Sequence, residues 1–304
     1  MKELDYKLLR ALHTVIIEGS FEKAAAKLNI TQSAVSQRIK QLEQQFAEPV
    51  LLRNHPMSLT PLGATLLTHF QQVNQLESDL LTELFPNDNK GPLTVAIALN
   101  ADSVAGWFIP AVAPLLKPLN LELDLQITDE SLTQERLKNG EVYAAVSSQS
   151  KTSSGYRVRP LGTLKYFLGA TPAFIDKHFT NGVTEESLRK APTMDFNQYD
   201  QLQSNFLQAN FGISRGEYPC HRIRSVEAMT QMVLHDCCYA LLPEFLVETE
   251  LASGTIINIL PQNTFDHHLY WHSWTLEKGR LKKLSQHIVD YAHQHLLQIG
   301  GEHG

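Results

Sequence analysis

The chain has 304 residues, of which 43% are apolar and 19% are charged, a composition that can bury a core and excludes a wholly disordered chain. This length predicts two or three domains, at roughly 100–200 residues each. A net charge of −6 argues against a nucleic-acid partner for the chain as a whole, since DNA-binding domains are usually basic. Residues 1–60, however, hold eight Lys or Arg and six Asp or Glu, so they carry +2 and the remainder carries −8. DNA binding therefore stays open for the first sixty residues.

No segment of the sequence looks like a secretion signal or a membrane span. The first seven residues lack the apolar core of a signal peptide, and no uninterrupted apolar run approaches the roughly 18 residues that cross a bilayer. The three cysteines, Cys220, Cys237 and Cys238, are too few and too clustered for a disulfide framework, which favours a reducing compartment. We therefore expect a soluble, cytoplasmic protein with no membrane partner.

Three helices are predicted within the first sixty residues, because apolar side chains recur there at helical spacing. Gly19 ends the first helix, since glycine tolerates the left-handed conformation that often follows a last turn. Ser20 caps the second helix, residues 21–28, and Thr31 caps the third, which runs to about Phe46. Two helices joined by so short a turn are typical of a helix-turn-helix.

The third helix has an apolar stripe on one face and hydrogen-bonding side chains on the other. The third helix of the chain would be the second helix of the helix-turn-helix, which enters the major groove with its amino-terminal residues first. Gln side chains can donate and accept together, as adenine edges require, whereas Arg and Lys favour phosphates. The helical pattern alone also allows a solvated helix of an ordinary bundle. The candidate DNA-binding residues are Thr31, Gln32, Ser33, Ser36, Gln37, Arg38, Lys40 and Arg53.

Two short strands are predicted directly after the third helix, and they count against the ordinary bundle. Residues 49–53 and 58–60 are separated by a turn that contains Pro56. Together they would form a two-stranded wing, with Arg53 placed to contact the phosphate backbone.

The next predicted helix runs from Pro61, with Thr60 as its cap, to about Leu84. Its apolar residues repeat near every 3.5 positions, which favours pairing with a second helix; packing on its own domain is the alternative. Residues 86–92 are rich in Pro, Asn and Gly and predict a hinge. The candidate dimerisation residues are Leu66, Phe70, Val73, Leu80 and Leu84.

The acidic remainder alternates predicted strands and helices, which implies a parallel sheet with right-handed crossovers. The first unit is a strand at residues 93–99, a helix opened by Ser103 and a strand at 121–127. A helix that Gly140 ends and a strand at 142–146 follow. Further strands are predicted at 166–169, 193–196, 223–225, 239–243 and 268–271, with helices at 200–209, 226–235 and 280–298. The repeated pattern predicts two α/β lobes with a cleft between them.

Polar residues at the predicted strand ends are candidates for ligand binding, because ligands of open α/β sheets lie beyond the carboxyl ends of strands. Ser at a helix start suits a carboxylate, and Asp can neutralise an ammonium group. The alternative is that each is only a cap or turn residue. The candidate effector-binding residues are Asn100, Asp102, Ser103, Asp129, Glu130, Ser147, Asp195 and Ser225.

Motifs for catalysis or metal binding do not stand out. The sequence has no Gly-x-Ser-x-Gly elbow, phosphate-binding Walker loop or dinucleotide fingerprint, so we expect no enzyme and no cofactor. Two groups of His and Cys lack the paired spacing of a structural zinc site, and no metal is expected at either. They are His267, His268 and His272 in one group, and His221, His235, Cys237 and Cys238 in the other.

The first sixty residues carry a family resemblance. Ala24-Ala25, residues 31–36, residues 39–43, Leu52-Arg53 and residues 59–63 together resemble the winged helix-turn-helix of LysR-type transcriptional regulators. The resemblance implies that residues early in the third helix read bases. By position these are Gln32, Ser33, Ser36 and Gln37, with Ser33 standing where the family often has Pro.

The second half resembles the effector domains of the same family, which look like small periplasmic binding proteins. Residues 100–103, 129–137, 219–221, 251–254 and 269–272 are similar to the group within it that responds to lysine and arginine. A cationic effector agrees with the acidic candidates above. One departure is Val142-Tyr143, where the family commonly has Asp.

The fold predicted from both halves is an all-α winged helix-turn-helix and a linker helix, followed by a two-lobed α/β effector domain. The function implied by the resemblance is a sequence-specific transcription regulator that binds operator DNA and a small effector, with lysine or arginine favoured. Homodimers or homotetramers are expected, and RNA polymerase is a further candidate partner. A different effector and a solute-binding protein are the alternatives. The expected boundaries are 1–60, 61–85, 86–92 and 93–304, with one lobe at 93–165 and 266–304 and the other at 166–265.

Overall fold

The computed structural model describes residues 3–52, 57–84, 91–128, 133, 135–137, 139–151 and 155–298. The first part contains helices α1 (Tyr6–Glu18), α2 (Phe21–Leu28) and α3 (Gln32–Phe46). Each begins at a side-chain cap: the hydroxyls of Ser20 and Thr31 accept from backbone N–H groups of α2 and α3, as the sequence predicts. Gly19 follows α1 with φ 64°, which confirms the predicted left-handed end.

The wing is confirmed as a two-stranded antiparallel sheet of β1 (Leu51–Leu52) and β2 (Ser58–Leu59), in which Leu51 pairs with Leu59. The paired segments are shorter than predicted, since only two residues of each strand are in register. Arg53, the predicted wing contact, lies outside the described residues. The helices bury a common core that includes Leu12, Val35 and Ile39.

Helix α4 (Pro61–Leu84) begins at the predicted residue, and the Thr60 hydroxyl accepts from the Gly63 N–H at 3.1 Å. Gly63 is required here because a Cβ would lie 2.0 Å from the carbonyl oxygen of Val50. The structure corrects two of the dimerisation candidates. Leu66 and Phe70 are buried in the core with α1, so their side chains already pack within the same chain.

The middle of α4 contacts the effector domain, whereas apolar side chains near its carboxyl end are exposed to solvent. A Cβ on Gly140, whose φ is 66°, would lie 2.7 Å from the side-chain oxygens of Thr68 and Gln71, so the effector domain packs closely on the middle of this helix. Beyond that contact Leu80 and Leu84 are 53% and 59% exposed.

The effector domain is built on a seven-stranded sheet that is mixed, which corrects the expected parallel sheet. Its strands are β3 (Leu93–Leu99), β4 (Leu121–Ile127), β5 (Ala144–Ser147), β6 (Tyr156–Ala170), β9 (Ala240–Pro243), β10 (Ile257–Asn258) and β11 (Phe265–Trp274). Strands β3, β4 and β5 are parallel, whereas β6 pairs antiparallel with β9, β10 and β11. Because Pro160 and Gly162 lie inside β6, its sequence does not read as one long strand.

A two-stranded parallel sheet of β7 (Thr193–Asp195) and β8 (Cys220–Arg222) completes the strands of the described residues. The strand predicted at 223–225 is therefore wrong by three residues, since Ser225 is the cap of the next helix. The helices of this part are α5 (Ala101–Ser103), α6 (Ile109–Leu116), α7 (Pro172–His178), α8 (Glu185–Lys190), α9 (Leu202–Phe211), α10 (Val226–Leu234), α11 (Glu248–Ser253) and α12 (Gly279–His295).

The start of α5 differs from the prediction that Ser103 opens a helix. The Asn100 side chain accepts from the Ser103 N–H at 3.4 Å, so Asn100 is the cap and Ser103 lies in the first turn. A π-helical turn, Val104–Phe108, connects α5 to α6.

Tyr143, at the position where the resemblance leads one to expect Asp, ties β5 to α12. Its hydroxyl hydrogen-bonds Glu277 and the Ser285 hydroxyl, the latter at 2.8 Å. Arg159 lies 3.7 Å from the nearly buried Glu277 carboxylate, so the negative charge of this network is neutralised inside the domain. None of the described helices has the length and apolar character that a bilayer crossing requires.

Candidate functional site: the recognition helix and the effector cavity

The amino end of α3 presents polar side chains to solvent while its opposite face is buried. Gln32, Ser33 and Gln37 are exposed and Ser36 is half-buried, and Val35, Ile39 and Leu42 anchor the other face in the core. The Thr31 and Ser33 hydroxyls lie 2.9 Å apart. Lys40 is exposed on the next turns and Arg38 is half-buried. The predicted reading face is therefore displayed on a rigid helix.

A cavity of about 300 Å³ lies in the effector domain, beyond the carboxyl ends of β3, β4, β5 and β7. Such a volume is at the small end of ligand cavities. Side chains of α9 and α10 close its other side. Its polar lining residues are Asn100, Asp102, Thr128, Ser148, Gln149, Tyr166, Tyr199, Asp200, Gln201, Gln203, Asn205, Thr230 and His267.

Asp102 is held at the cavity wall by Tyr166, which His267 supports. The Tyr166 hydroxyl donates to its carboxylate at 2.6 Å, and His267 packs edge-on against the Tyr166 ring with centroids 6.0 Å apart. Burial raises the pKa of the Asp102 carboxyl and the charge of Asp200 raises it further, whereas the hydrogen bond from Tyr166 and the charge of His267 lower it. A carboxylate so desolvated gains from a cation placed beside it.

Asp200 also lines the cavity, and backbone groups hold its carboxylate. Its carboxylate accepts from the Phe196 N–H at 3.1 Å and from the Leu202 N–H at 3.0 Å, at the amino end of α9. These bonds fix the position of the Asp200 carboxylate at the start of α9. Sequence reasoning missed Asp200 because it placed the residue inside a helix; the Asp-Gln-Leu start of α9 was the available signal.

Among the predicted effector residues that the structure describes, Asn100 and Asp102 are the two at the cavity wall. Asp195 instead pairs with Arg215 at 2.5 Å, and Ser225 caps α10. Ser103 is fully buried in the first turn of α5. The Ser147 hydroxyl is also buried and accepts from the Gln149 N–H, while its neighbour Ser148 lines the cavity. The remaining two, Asp129 and Glu130, lie outside the described residues.

The described part of the wall contains two carboxylates, Asp102 and Asp200, and no Lys or Arg. Such a wall favours a ligand that carries positive charge. Uncharged hydroxyl and amide side chains line another part of the wall, at Thr128, Ser148 and Gln149, and groups of this kind can donate to a carboxylate.

The histidines and cysteines considered for metal do not converge in the part of the chain that the structure describes, where no group of three or more His, Cys, Asp or Glu could hold an ion. His272 is fully buried, with Nε2 2.8 Å from the Gln149 carbonyl oxygen. Burial lowers the pKa of His272, so this histidine is a neutral core residue near neutral pH.

Comparison with known proteins covers both halves. Residues 6–64 match the family described as bacterial regulatory helix-turn-helix protein, lysR family, and residues 87–296 match the LysR substrate binding domain. The HTH-type transcriptional regulator ArgP of Aeromonas salmonicida is 46% identical over 95% of this chain and 97% of its own length. ArgP of Vibrio vulnificus strain CMCP6 is 43% identical over 98% of this chain and 100% of its own length.

Two solved structures are similar along almost the whole chain. ArgP from Mycobacterium tuberculosis superposes with a TM-score of 0.87 at 31% identity, covering 98% of this chain and 100% of that one. Full-length LysG from Corynebacterium glutamicum with bound effector Arg superposes with a TM-score of 0.81 at 28% identity, covering 97% of this chain and 100% of that one.

Proposed function

The chain belongs to the LysR family of bacterial DNA-binding transcription regulators, and on that premise we propose that it senses lysine or arginine in the cytoplasm. The observation that carries the proposal is the cavity with Asp102 and Asp200 on its wall and no Lys or Arg among its described lining residues. Lysine and arginine carry a distal cation, an α-ammonium and an α-carboxylate, so two carboxylates and a set of uncharged donors complement them. Relatives named ArgP and the arginine complex of LysG support the same ligand class.

A thermal-shift screen of the twenty amino acids tests the effector directly, because a ligand that binds the folded state raises the melting midpoint. We expect lysine or arginine to raise it and neutral amino acids of similar size to leave it unchanged. A shift with another metabolite, together with none for lysine and arginine, would replace the effector and leave the family assignment standing.

The effector acts in this proposal by binding one of two arrangements of the protein more tightly than the other. The packing of Gly140 on Thr68 and Gln71 supports this, since it gives the effector domain a direct contact with α4. Helix α4 in turn shares the core of the DNA-binding domain through Leu66 and Phe70. A change in the effector domain therefore has a physical route to the recognition helix.

Oligomerisation belongs to the same proposal. Leu80 and Leu84 leave an apolar stripe on α4 exposed, with Val73 half-buried on the same helix. Pairing of two such stripes would place two recognition helices on a two-fold operator. A homodimer is the minimal unit, a homotetramer adds a second contact, and RNA polymerase is a further proposed partner.

DNA recognition predicts different outcomes for two exposed residues of α3. Gln37→Ala should reduce the preference for operator over random DNA by about 1–3 kcal/mol, because a base contact is lost. Lys40→Ala should weaken binding to operator and to random DNA equally, and it should reduce the dependence of the affinity on salt concentration, because a phosphate contact is lost. Fluorescence anisotropy titrations at several salt concentrations measure both. An unchanged ratio of the two affinities for Gln37→Ala would exclude it as a base reader.

The raised pKa of Asp102 predicts a pH-dependent affinity. A bound cation favours the ionised carboxylate, so lysine should bind more weakly as the pH falls through this pKa and the carboxyl becomes protonated. The loss should begin at a higher pH than for an ordinary carboxyl group, while the ammonium groups of lysine stay protonated throughout. Calorimetric titrations over a pH series measure it. The same decline in Asp102→Asn would contradict this assignment.

A further inference from the structure

Arg215 lies outside the cavity wall, on the turn after α9, and contacts the loop that carries Asp200. We propose that Arg215 is a positioning residue for the effector: it fixes the loop at residues 196–201 so that Asp200 faces the ligand cation. This inference rests on the proposed function, because it concerns the same cavity and the same cationic ligand.

The guanidinium group of Arg215 bridges three acceptors. Its Nη2 donates to the Asp195 carboxylate at 2.5 Å and to the Asn197 carbonyl at 3.0 Å, and its Nη1 donates to the Gln198 carbonyl at 2.6 Å. Asp195 is 1% exposed and ends β7. One planar group thus joins the end of a buried strand to the first half of the loop, a geometry that Lys does not reproduce.

The loop carries this restraint on to Asp200. The Asn197 side-chain oxygen accepts from the Tyr199 N–H at 2.6 Å and from the Asp200 N–H at 3.1 Å. The Asp200 carboxylate then accepts from the N–H groups at both ends of the loop. A continuous set of hydrogen bonds therefore leads from Arg215 through Asn197 to the carboxylate that lines the cavity.

The charges agree with this division of roles. Asp195 lies at a strand end and was expected to neutralise an ammonium group of the ligand, but Arg215 already neutralises it. Asp200 accepts hydrogen bonds from the backbone N–H groups of the loop, and of these two carboxylates it is Asp200 that lines the cavity. The pair Asp195–Arg215 is thus structural, and it serves the neighbouring Asp200.

A double-mutant cycle tests the proposal, with lysine and arginine as the probes in calorimetric titrations of the full chain. Arg215→Met should weaken binding of the probe by roughly tenfold. When Asp200→Asn is already present, the further loss should be less than about twofold, because displacing an uncharged side chain at position 200 costs little of the affinity for a cation. Arg215→Lys, which can keep the ion pair with Asp195 while losing the bridge, should fall between wild type and Arg215→Met.

Arg189→Met is the matched control, since Arg189 makes ion pairs with Glu185 and Glu217 at the domain surface. It should leave the affinity unchanged in both backgrounds. An equal loss for Arg215→Met with and without Asp200→Asn would overturn the positioning role, and so would no loss for either Arg215 variant. If the wild-type chain binds neither lysine nor arginine, the proposed function fails first, and this inference fails with it.

Discussion

Asp102→Asn is expected to weaken the binding of lysine or arginine by about 2–5 kcal/mol, a factor of about thirty to several thousand, and to abolish the regulator's response at ordinary effector concentrations. The reason is that the ligand cation would still lose its hydration on binding, but the carboxylate that compensates for this loss would be absent. Asn keeps an oxygen that can accept the Tyr166 hydroxyl, which now donates at 2.6 Å, so the wall should keep its shape. Calorimetric titration measures the affinity.

Asp266→Asn provides the matched control for this variant. Asp266 neighbours His267 on β11 but is exposed to solvent, whereas His267 is buried at the cavity, because successive side chains of a strand point to opposite faces. The same loss of one negative charge should therefore leave the affinity unchanged. Equal losses in both variants would mean that net charge attracts the ligand and that Asp102 does not bind it.

The paired substitution Leu80→Glu and Leu84→Glu is expected to separate the subunits and to reduce operator affinity by about a hundredfold or more. Both leucines are more than half exposed on α4, and like charges facing each other across a two-fold axis repel. A monomer binds one half-site and loses the gain that linkage of two half-sites provides. Analytical ultracentrifugation and operator titrations measure the two effects.

Leu276→Glu is the control for the dimer variant, because Leu276 is as exposed as Leu84 but follows β11 in the effector domain. It should leave both the mass in solution and the operator affinity unchanged. If the Leu80 and Leu84 variant keeps its wild-type mass, α4 is not the pairing helix, and the exposed stripe needs another explanation.

The DNA-binding half could be predicted almost to the residue because its signals are local. Ser20, Thr31 and Thr60 each cap a helix within three residues of their own position, and the apolar stripe of α3 faces the core as its spacing predicts. The exception is the environment of two apolar-repeat positions on α4. Leu66 and Phe70 continue the heptad-like repeat of α4, but α1 covers them, and a repeat cannot say which helix will be the neighbour.

The cavity was harder to predict because its parts meet only in three dimensions. Asp195 and Asp200 lie five positions apart, and both are plausible partners for a cation. The difference between them is Arg215, which lies twenty positions from Asp195 and pairs with it. Tyr166 and His267 reach Asp102 because β6 and β11 pair antiparallel, whereas the alternating pattern of elements predicted parallel strands.

We propose that a basic amino acid in this cavity controls how the recognition helices engage DNA. The most direct measurement is the affinity of the full chain for its operator, titrated with and without saturating lysine or arginine, for wild type and for Asp102→Asn. We expect one of these amino acids to change the wild-type affinity or footprint, and Asp102→Asn to remove the change. An operator interaction that is identical with and without both amino acids would contradict it.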